Sequence, residues 1–248
     1  MMGVERETWR RFLRSRERGV AHVKITGLFR TRRPSGGTCI LGPTAAGRVI
    51  LENFRANGRR VDCFVDPQGK FRGESWAGLP VVKLAGQEDL PRLKGLGIRH
   101  FSLVAGATAA RKRLFEACLA AGLEPVSLTH PTATILAEAV IGRGCVVGAR
   151  AIIGVGAELG DDCLVGMATL IDHDCRIGPH TAIGAGVTIG AQTVIEEGGF
   201  IGDGVTLLPS LTIGAKAIIV SGSVVTQDLS ADAVSAGVPA RLIRRTRR

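Results

Sequence analysis

The sequence predicts a small parallel α/β unit followed by a parallel β-helix of six-residue repeats. Three observations predict it. An aliphatic residue returns every six positions from Ile135 to Val225, sixteen times without a slip. The first half alternates short apolar runs with helix-like stretches bounded by glycine, the pattern of a parallel α/β sheet. The composition holds 34 Gly, only 4% aromatics and no Tyr, so the core must be aliphatic and the turns frequent.

Along the first half, residues 38–42 (TCILG) read as a buried strand. The turn Gly42-Pro43-Thr44-Ala45-Ala46-Gly47 follows, then a helical stretch 46–57 stopped by Gly58. Residues 61–66 (VDCFVD) form a second strand ending in Asp66, and residues 98–105 form another. A helix over 108–121 ends at Gly122, and a last strand 125–129 leads to His130-Pro131. A strand, a glycine turn and a helix place backbone N–H groups where a phosphate can sit. The unit reads as a small Rossmann-like parallel sheet. Its turn lacks the middle Gly of G-x-G-x-x-G, which argues against a nicotinamide enzyme.

In the second half the period of six fits neither a helix nor a long strand. It fits a short strand plus a turn, with three hexapeptides closing a triangular coil so that residues 18 apart stack. Gly follows the aliphatic residue in ten repeats, and Gly and polar residues are expected to serve the bends. Two positions before the aliphatic residue stands a mostly small one. Cys145 and Cys163, 18 apart, fall in that slot as small apolar fillers. The six cysteines form no CxxC pair, which predicts reduced thiols in a cytoplasmic protein without a structural metal.

The domain organisation expected is 1–35, a basic extension; 36–129, the α/β unit; 130–229, the β-helix; and 230–248, a C-terminal segment with a basic tail. The formal net charge of +10 sits at the ends. Residues 1–35 carry a net +7 and residues 241–248 a net +5, leaving −2 for the body. That distribution argues against a nucleic-acid binder. Basic ends are attracted to anionic membrane surfaces, and Trp9, Phe12 and Leu13 can share one face of an interfacial helix. The charged N-terminal stretch does not read as a signal peptide, and no run approaches the ~18 apolar residues of a membrane span.

One repeat breaks its pattern. Asp172 replaces the Gly, and His173 follows, flanked by Asp172 and Asp174, two places beyond the repeat's aliphatic Ile171. Histidine titrates near neutrality and can take a proton from an attacking amine or hydroxyl, and a neighbouring carboxylate orients its ring. The other prism histidine is His180. A γ-type carbonic anhydrase needs three histidine ligands, so that alternative is not supported.

The period and the segment Asp172-His173-Asp174-Cys175 resemble the hexapeptide-repeat acyltransferases, and the α/β unit ahead of the prism resembles their sugar acetyltransferase subgroup. That subgroup includes bacillosamine-type UDP-amino-sugar N-acetyltransferases and sialic acid O-acetyltransferases. The resemblance implies a left-handed β-helix, a homotrimer with acyl-CoA sites between prisms, and acetyl-CoA as donor. It implies His173 as general base with Asp174 raising its basicity. It implies that Gly42, Thr44, Gly47 and Asp66 hold a nucleotide sugar, although Ala45 and Ala46 stand at the family's Gly-His pair. On the donor side it implies His180, Ala182, Gly202, Gly222, Pro239 and Arg241. The family carries a second His at the position of Ala182, and Gly237-Val238-Pro239-Ala240-Arg241 matches its closing segment. The function expected is acetyl-CoA-dependent N-acetylation of a nucleotide-linked amino sugar for surface glycan synthesis. Sugar or sialic acid O-acetylation and a non-catalytic trimeric scaffold are the alternatives.

Overall fold

A computed structural model describes residues 36–103 and 108–246. The extension 1–35, with the interfacial helix expected around Trp9, lies outside the described residues, as do Val104 and Ala105 at the end of the strand expected over 98–105. The α/β unit contains β1 (Gly37–Leu41), α1 (Ala45–Ala56), β2 (Cys63–Asp66), β3 (Ser75–Trp76), β4 (Leu79–Lys83), α2 (Arg92–Gly95), β5 (Ile98–Leu103), α3 (Thr108–Ala120) and β6 (Glu124–Pro125). Cys39, Ile40, Leu41, Phe64 and Val65 are almost wholly inaccessible, as strands covered on both faces require. The sheet runs β3-β4-β2-β1-β5-β6, with β1 pairing in parallel to β2 on one side and β5 on the other. Strand order therefore reverses at β1. The crevice beyond its C-terminal end is the place where open α/β sheets take ligands.

The prism follows directly. Seventeen two-residue strands run from β7 (Leu128–Thr129) to β23 (Val224–Val225) and sort into three parallel sheets. Face 1 holds β7, β10 (Val146–Val147), β13 (Leu164–Val165), β16 (Ala182–Ile183), β19 (Phe200–Ile201) and β22 (Ile218–Ile219); face 2 holds β8 (Thr134–Ile135), β11 (Ile152–Ile153), β14 (Leu170–Ile171), β17 (Thr188–Ile189), β20 (Thr206–Leu207) and β23; face 3 holds β9 (Val140–Ile141), β12 (Glu158–Leu159), β15 (Arg176–Ile177), β18 (Val194–Ile195) and β21 (Thr212–Ile213). Partners are 18 residues apart, as in Val146 with Leu164 and Leu170 with Thr188. The result is a left-handed parallel β-helix. From Val147 to Val225 every repeat aliphatic residue is buried.

The slot two residues earlier is also sealed. Its occupants include Cys145, Cys163, Thr169, Cys175, Thr181 and Thr193. Each donates its S–H or O–H to a carbonyl 15 residues on, such as Cys145 to Gly160 O at 3.0 Å and Thr169 to Gly184 O at 2.7 Å. The slot therefore selects a small side chain that can also satisfy a turn carbonyl facing inward. All six cysteines are free and buried, and burial pushes Cys63 up to about 11 and Cys118 up to about 12.

Polar residues and glycine serve the bends, as expected, but not through the glycine that follows the aliphatic residue. The left-handed turn residue lies three places after the aliphatic one and is usually not glycine: Arg150, Asp162, Asp174, His180 and Gln192 all have φ between 55° and 60°. The glycine straight after the aliphatic residue serves close approach instead. A Cβ on Gly154 would lie 2.5 Å from the Asp172 carbonyl carbon and 2.6 Å from His173 N.

The C-terminal segment expected over 230–248 forms a hairpin. β24 (Ala233–Gly237) joins face 1 beside β22, and β25 (Ala240–Arg245) turns back antiparallel to it and forms the free edge. The α/β unit seats on the opposite end of face 1. Ile40, Phe54, Val126, Leu128 and Val146 form one buried cluster there, and Asn53 Nδ2 donates to Val147 O at 3.1 Å.

Candidate functional site

Ile171 and Cys175 are both 0% exposed and anchor the ends of one turn in the prism core. The three residues between them are forced outward at the corner joining faces 2 and 3. The coils on either side hold the turn's backbone: Asp174 N donates to Val155 O at 2.9 Å, and Gln192 N donates to His173 O at 2.9 Å. Asp172 Oδ1 accepts from His173 N at 2.7 Å. Asp174 takes the left-handed turn position at φ 56°, which Asp tolerates better than most residues.

His173 Nδ1 lies 2.9 Å from Asp174 Oδ2, with the two side chains 51% and 61% exposed. A carboxylate only accepts, so Nδ1 carries the proton and Nε2 keeps its lone pair toward solvent. The hydrogen bond to Asp174 raises the His173 pKa above its ordinary 6.5. Slight desolvation opposes the rise, and the charges of Asp172 and then Asp174 add to it. The pair can accept a proton from an incoming amine or hydroxyl and hold it as imidazolium.

The four residues expected at a nucleotide sugar gather around the β1–α1 turn. Thr44 caps α1, its Oγ1 accepting from Gly47 N at 3.1 Å. Gly47 passes so close to Gly42 O that a side chain there would collide with it. The first turn of α1 carries no acidic residue that would repel an anion from its N–H groups. Asp66 stands at the end of β2 but is 7% exposed. Its oxygens accept from Gln68 N at 3.0 Å and Phe71 N at 2.6 Å, so it also fastens the following loop. The sequence reading missed Trp76. Its Nε1 donates to Thr44 O at 3.2 Å and its ring meets Phe71 edge-on at 5.8 Å.

The donor-side residues do not gather around His173. Ala182 lies on face 1, and Gly202 and Gly222 lie at the corner joining faces 1 and 2. Pro239 and Arg241 belong to the β24–β25 hairpin. His180, expected beside the donor, sits at the corner joining faces 3 and 1, 8% exposed beneath α3. Its Nδ1 donates to Asp162 Oδ2 at 2.9 Å, and Arg111 Nε donates to the same oxygen at 3.0 Å. Arg111 Nη2 also reaches His180 O at 2.6 Å. His180 is thus buried in the junction between the two units. The stacking rule would have paired Asp162 with His180, since they are 18 apart. Among the described residues no group of three or more His, Cys, Asp or Glu could hold a metal.

Two family signatures match the prism: bacterial transferase hexapeptide (six repeats) over residues 156–191, and hexapeptide repeat of succinyl-transferase over 138–173. Galactoside O-acetyltransferase of Escherichia coli (strain K12) is 47% identical over 45 residues, 18% of this chain and 22% of that protein. The chain spans less than a quarter of the curated relatives it matches, 22% and 24% of their lengths. Solved structures match far more of it. PerB from Caulobacter crescentus, determined with CoA and GDP-perosamine, is 29% identical, covers 84% of this chain and 97% of its own, and has a TM-score of 0.68. The acetyltransferase domain of PglB from Neisseria gonorrhoeae, determined with acetyl coenzyme A, is 27% identical, covers 85% and 100%, and has a TM-score of 0.78. Repeat, fold and His–Asp corner define a hexapeptide-repeat protein of the acyltransferase type. Within that class the chain is built as the sugar acetyltransferases are, with an α/β unit ahead of the prism.

Proposed function

We propose that the chain transfers an acetyl group from acetyl-CoA to the amino group of a nucleotide-linked sugar, a step in surface glycan synthesis. The observation that carries this reading is the His173–Asp174 pair, clamped at an exposed corner with Nε2 free. The acceptor amine attacks the thioester carbonyl carbon. His173 Nε2 takes the amine proton as the C–N bond forms, and Asp174 steadies the imidazolium. Prism N–H groups at the corners are suited to hold the oxyanion. Collapse breaks the C–S bond, and the proton leaves with the CoA thiol. No covalent enzyme intermediate is needed.

The capped, acid-free start of α1 at the sheet's switch point supports a diphosphate-linked acceptor, with Gly42, Thr44 and Gly47 at the phosphates and Asp66 behind them. The PerB complex with CoA and GDP-perosamine supports the same pairing of substrates. Arg241, with no ion-pair partner among the described residues, suits a CoA phosphate. Ala182, Gly202, Gly222 and Pro239 complete the donor groove in this reading.

The active unit in this reading is a homotrimer. Leu136, Ile152, Val155, Met167, Leu208 and Val220 are each about 40–50% exposed and lie on face 2 or its two corners, an apolar strip of the kind that marks a protein interface. We place the protein in the cytoplasm, where its six buried thiols stay reduced.

The test is thiol release from acetyl-CoA against UDP-, GDP- and dTDP-linked amino sugars and free sialic acid. Release with an amino sugar, reduced about 10²–10⁴-fold in His173→Ala, is the expected result for loss of a general base. Release only with hydroxyl acceptors would favour O-acetylation, the reading to which the galactoside O-acetyltransferase match points. Silence with every acceptor and no acetyl-CoA binding would overturn the enzyme reading in favour of a scaffold.

A further inference from the structure

The end of the prism remote from the α/β unit carries an unusual concentration of apolar and cationic groups. Val238 at the hairpin tip is 72% exposed, Leu242 55% and Ile243 62%. The last two lie on β25, the free edge of the eight-stranded sheet. Arg241, Arg244 and Arg245 share that strand, and the sequence continues with Arg247 and Arg248. None of Arg241, Arg244 and Arg245 has an ion-pair partner among the described residues. Arg241 Nη1 donates to Ala240 O at 3.0 Å, and Arg245 Nη1 to Ala231 O at 3.3 Å. The ladder also slips between Arg244 and Leu242, leaving Ile243 as the extra residue of a bulge. A bulge and a row of charges keep an edge strand from pairing with another strand. They do not account for three apolar side chains exposed among the charges.

We propose that the β24–β25 hairpin docks the protein on an anionic phospholipid bilayer, with Val238, Leu242 and Ile243 entering the headgroup boundary and Arg244 and Arg245 meeting lipid phosphates. Charge selects this occupant. The strand is purely cationic, and the extension 1–35 carries a further net +7, so that segment is repelled from the edge while both are drawn to one anionic surface. Apolar residues interleaved with Arg are the composition of an interfacial anchor. In a trimer with parallel prisms, three hairpins face the same way, and their weak contacts multiply. The inference does not depend on the acetyltransferase reading.

The test is flotation of the full chain with vesicles of phosphatidylcholine alone or with 30 mol% phosphatidylglycerol. The expected result is partition onto the anionic vesicles only, abolished at 1 M salt, where charges more than about 3 Å apart are screened. Arg244→Ser with Arg245→Ser should weaken partition about 25-fold, about fivefold for each charge. Leu242→Ser with Ile243→Ser should weaken it in 0.1 M salt while the charge is unchanged. Circular dichroism and light scattering would establish that both variants keep the fold and mass of the parent. No partition onto anionic vesicles would overturn the proposal. So would partition equal in all variants, which would assign it to residues 1–35. A variant whose mass falls would instead make the edge a chain–chain contact, and one that loses only CoA affinity would assign it to the donor groove.

Discussion

The chemistry assigned to His173 depends on which ring nitrogen keeps its lone pair. Asp174 settles the tautomer through Nδ1 and lifts the ring's pKa above 6.5. A general base works only when neutral, so kcat/KM should fall as pH drops through the raised value. Asp174→Asn retains a residue tolerant of the turn's positive φ and removes the charge. The acid limb of the profile should then move to lower pH, and the plateau should drop between about tenfold and 10⁴-fold, the upper figure being that of a buried protease carboxylate. A limb that stays in place would dissociate Asp174 from catalysis. The stability effect has the opposite pH sense. The raised folded pKa favours the native state below the ordinary value, and that contribution is lost as pH rises through the raised one. The pair was legible in the sequence because it breaks a strict repeat. The burial of His180 was not legible, because its turn position is covered by α3, a contact that spacing along the prism does not report.

That contact makes α3 the strut between the two units. Arg111 is 1% exposed and Asp162 0%, so the pair is fully desolvated, and Asp162 Oδ1 has no partner. Its neighbour Lys112 meets Glu197 at the surface, where an ion pair contributes little. Replacing Arg111 by Met leaves the Asp162 carboxylate and the Asp162 and His180 carbonyls short of donors, at a cost of about 3–5 kcal/mol. Urea midpoints should therefore fall in Arg111→Met and recover in part when Asp162→Asn removes the stranded charge as well. Equal midpoints for the parent and the single variant would mean the strut adds no stability. The elements differ in how well sequence reports them. Each six-residue rung repeats one environment, so its period predicts burial, slot and register together. Residues 74–95 meet no repeating environment, and β3, β4 and α2 left no period to read. The hairpin after Val225 was read only as a C-terminal segment with a basic tail, because its arginines hide a strand that the sheet edge imposes.

The prism's triangular section decides how many chains a site needs. His173 stands at the corner between faces 2 and 3, which lies opposite face 1. Ala182 and the hairpin with Arg241 belong to face 1, and Gly202 and Gly222 lie across face 2. Under the proposed assignment, base and donor groove of one chain therefore point in different directions, whereas a rotated second copy can bring the corner of one prism against face 1 of the next. The apolar strip along face 2 gives such a copy a surface to cover. A cyclic trimer repeats this head-to-tail contact three times and closes. Its mass should be about 78 kDa for a chain of 26.0 kDa. Two inactive proteins then become a diagnostic pair: His173→Ala, which lacks the base, and Ala182→Trp, which fills the donor groove. Dissociated, mixed in equal amounts and reassembled, they should regain about a quarter of parental activity, because that fraction of contacts joins an intact corner to an intact face. If light scattering and mass spectrometry detect mixed trimers that stay inactive, the site lies within one chain and the donor residues assigned to face 1 do not act with His173.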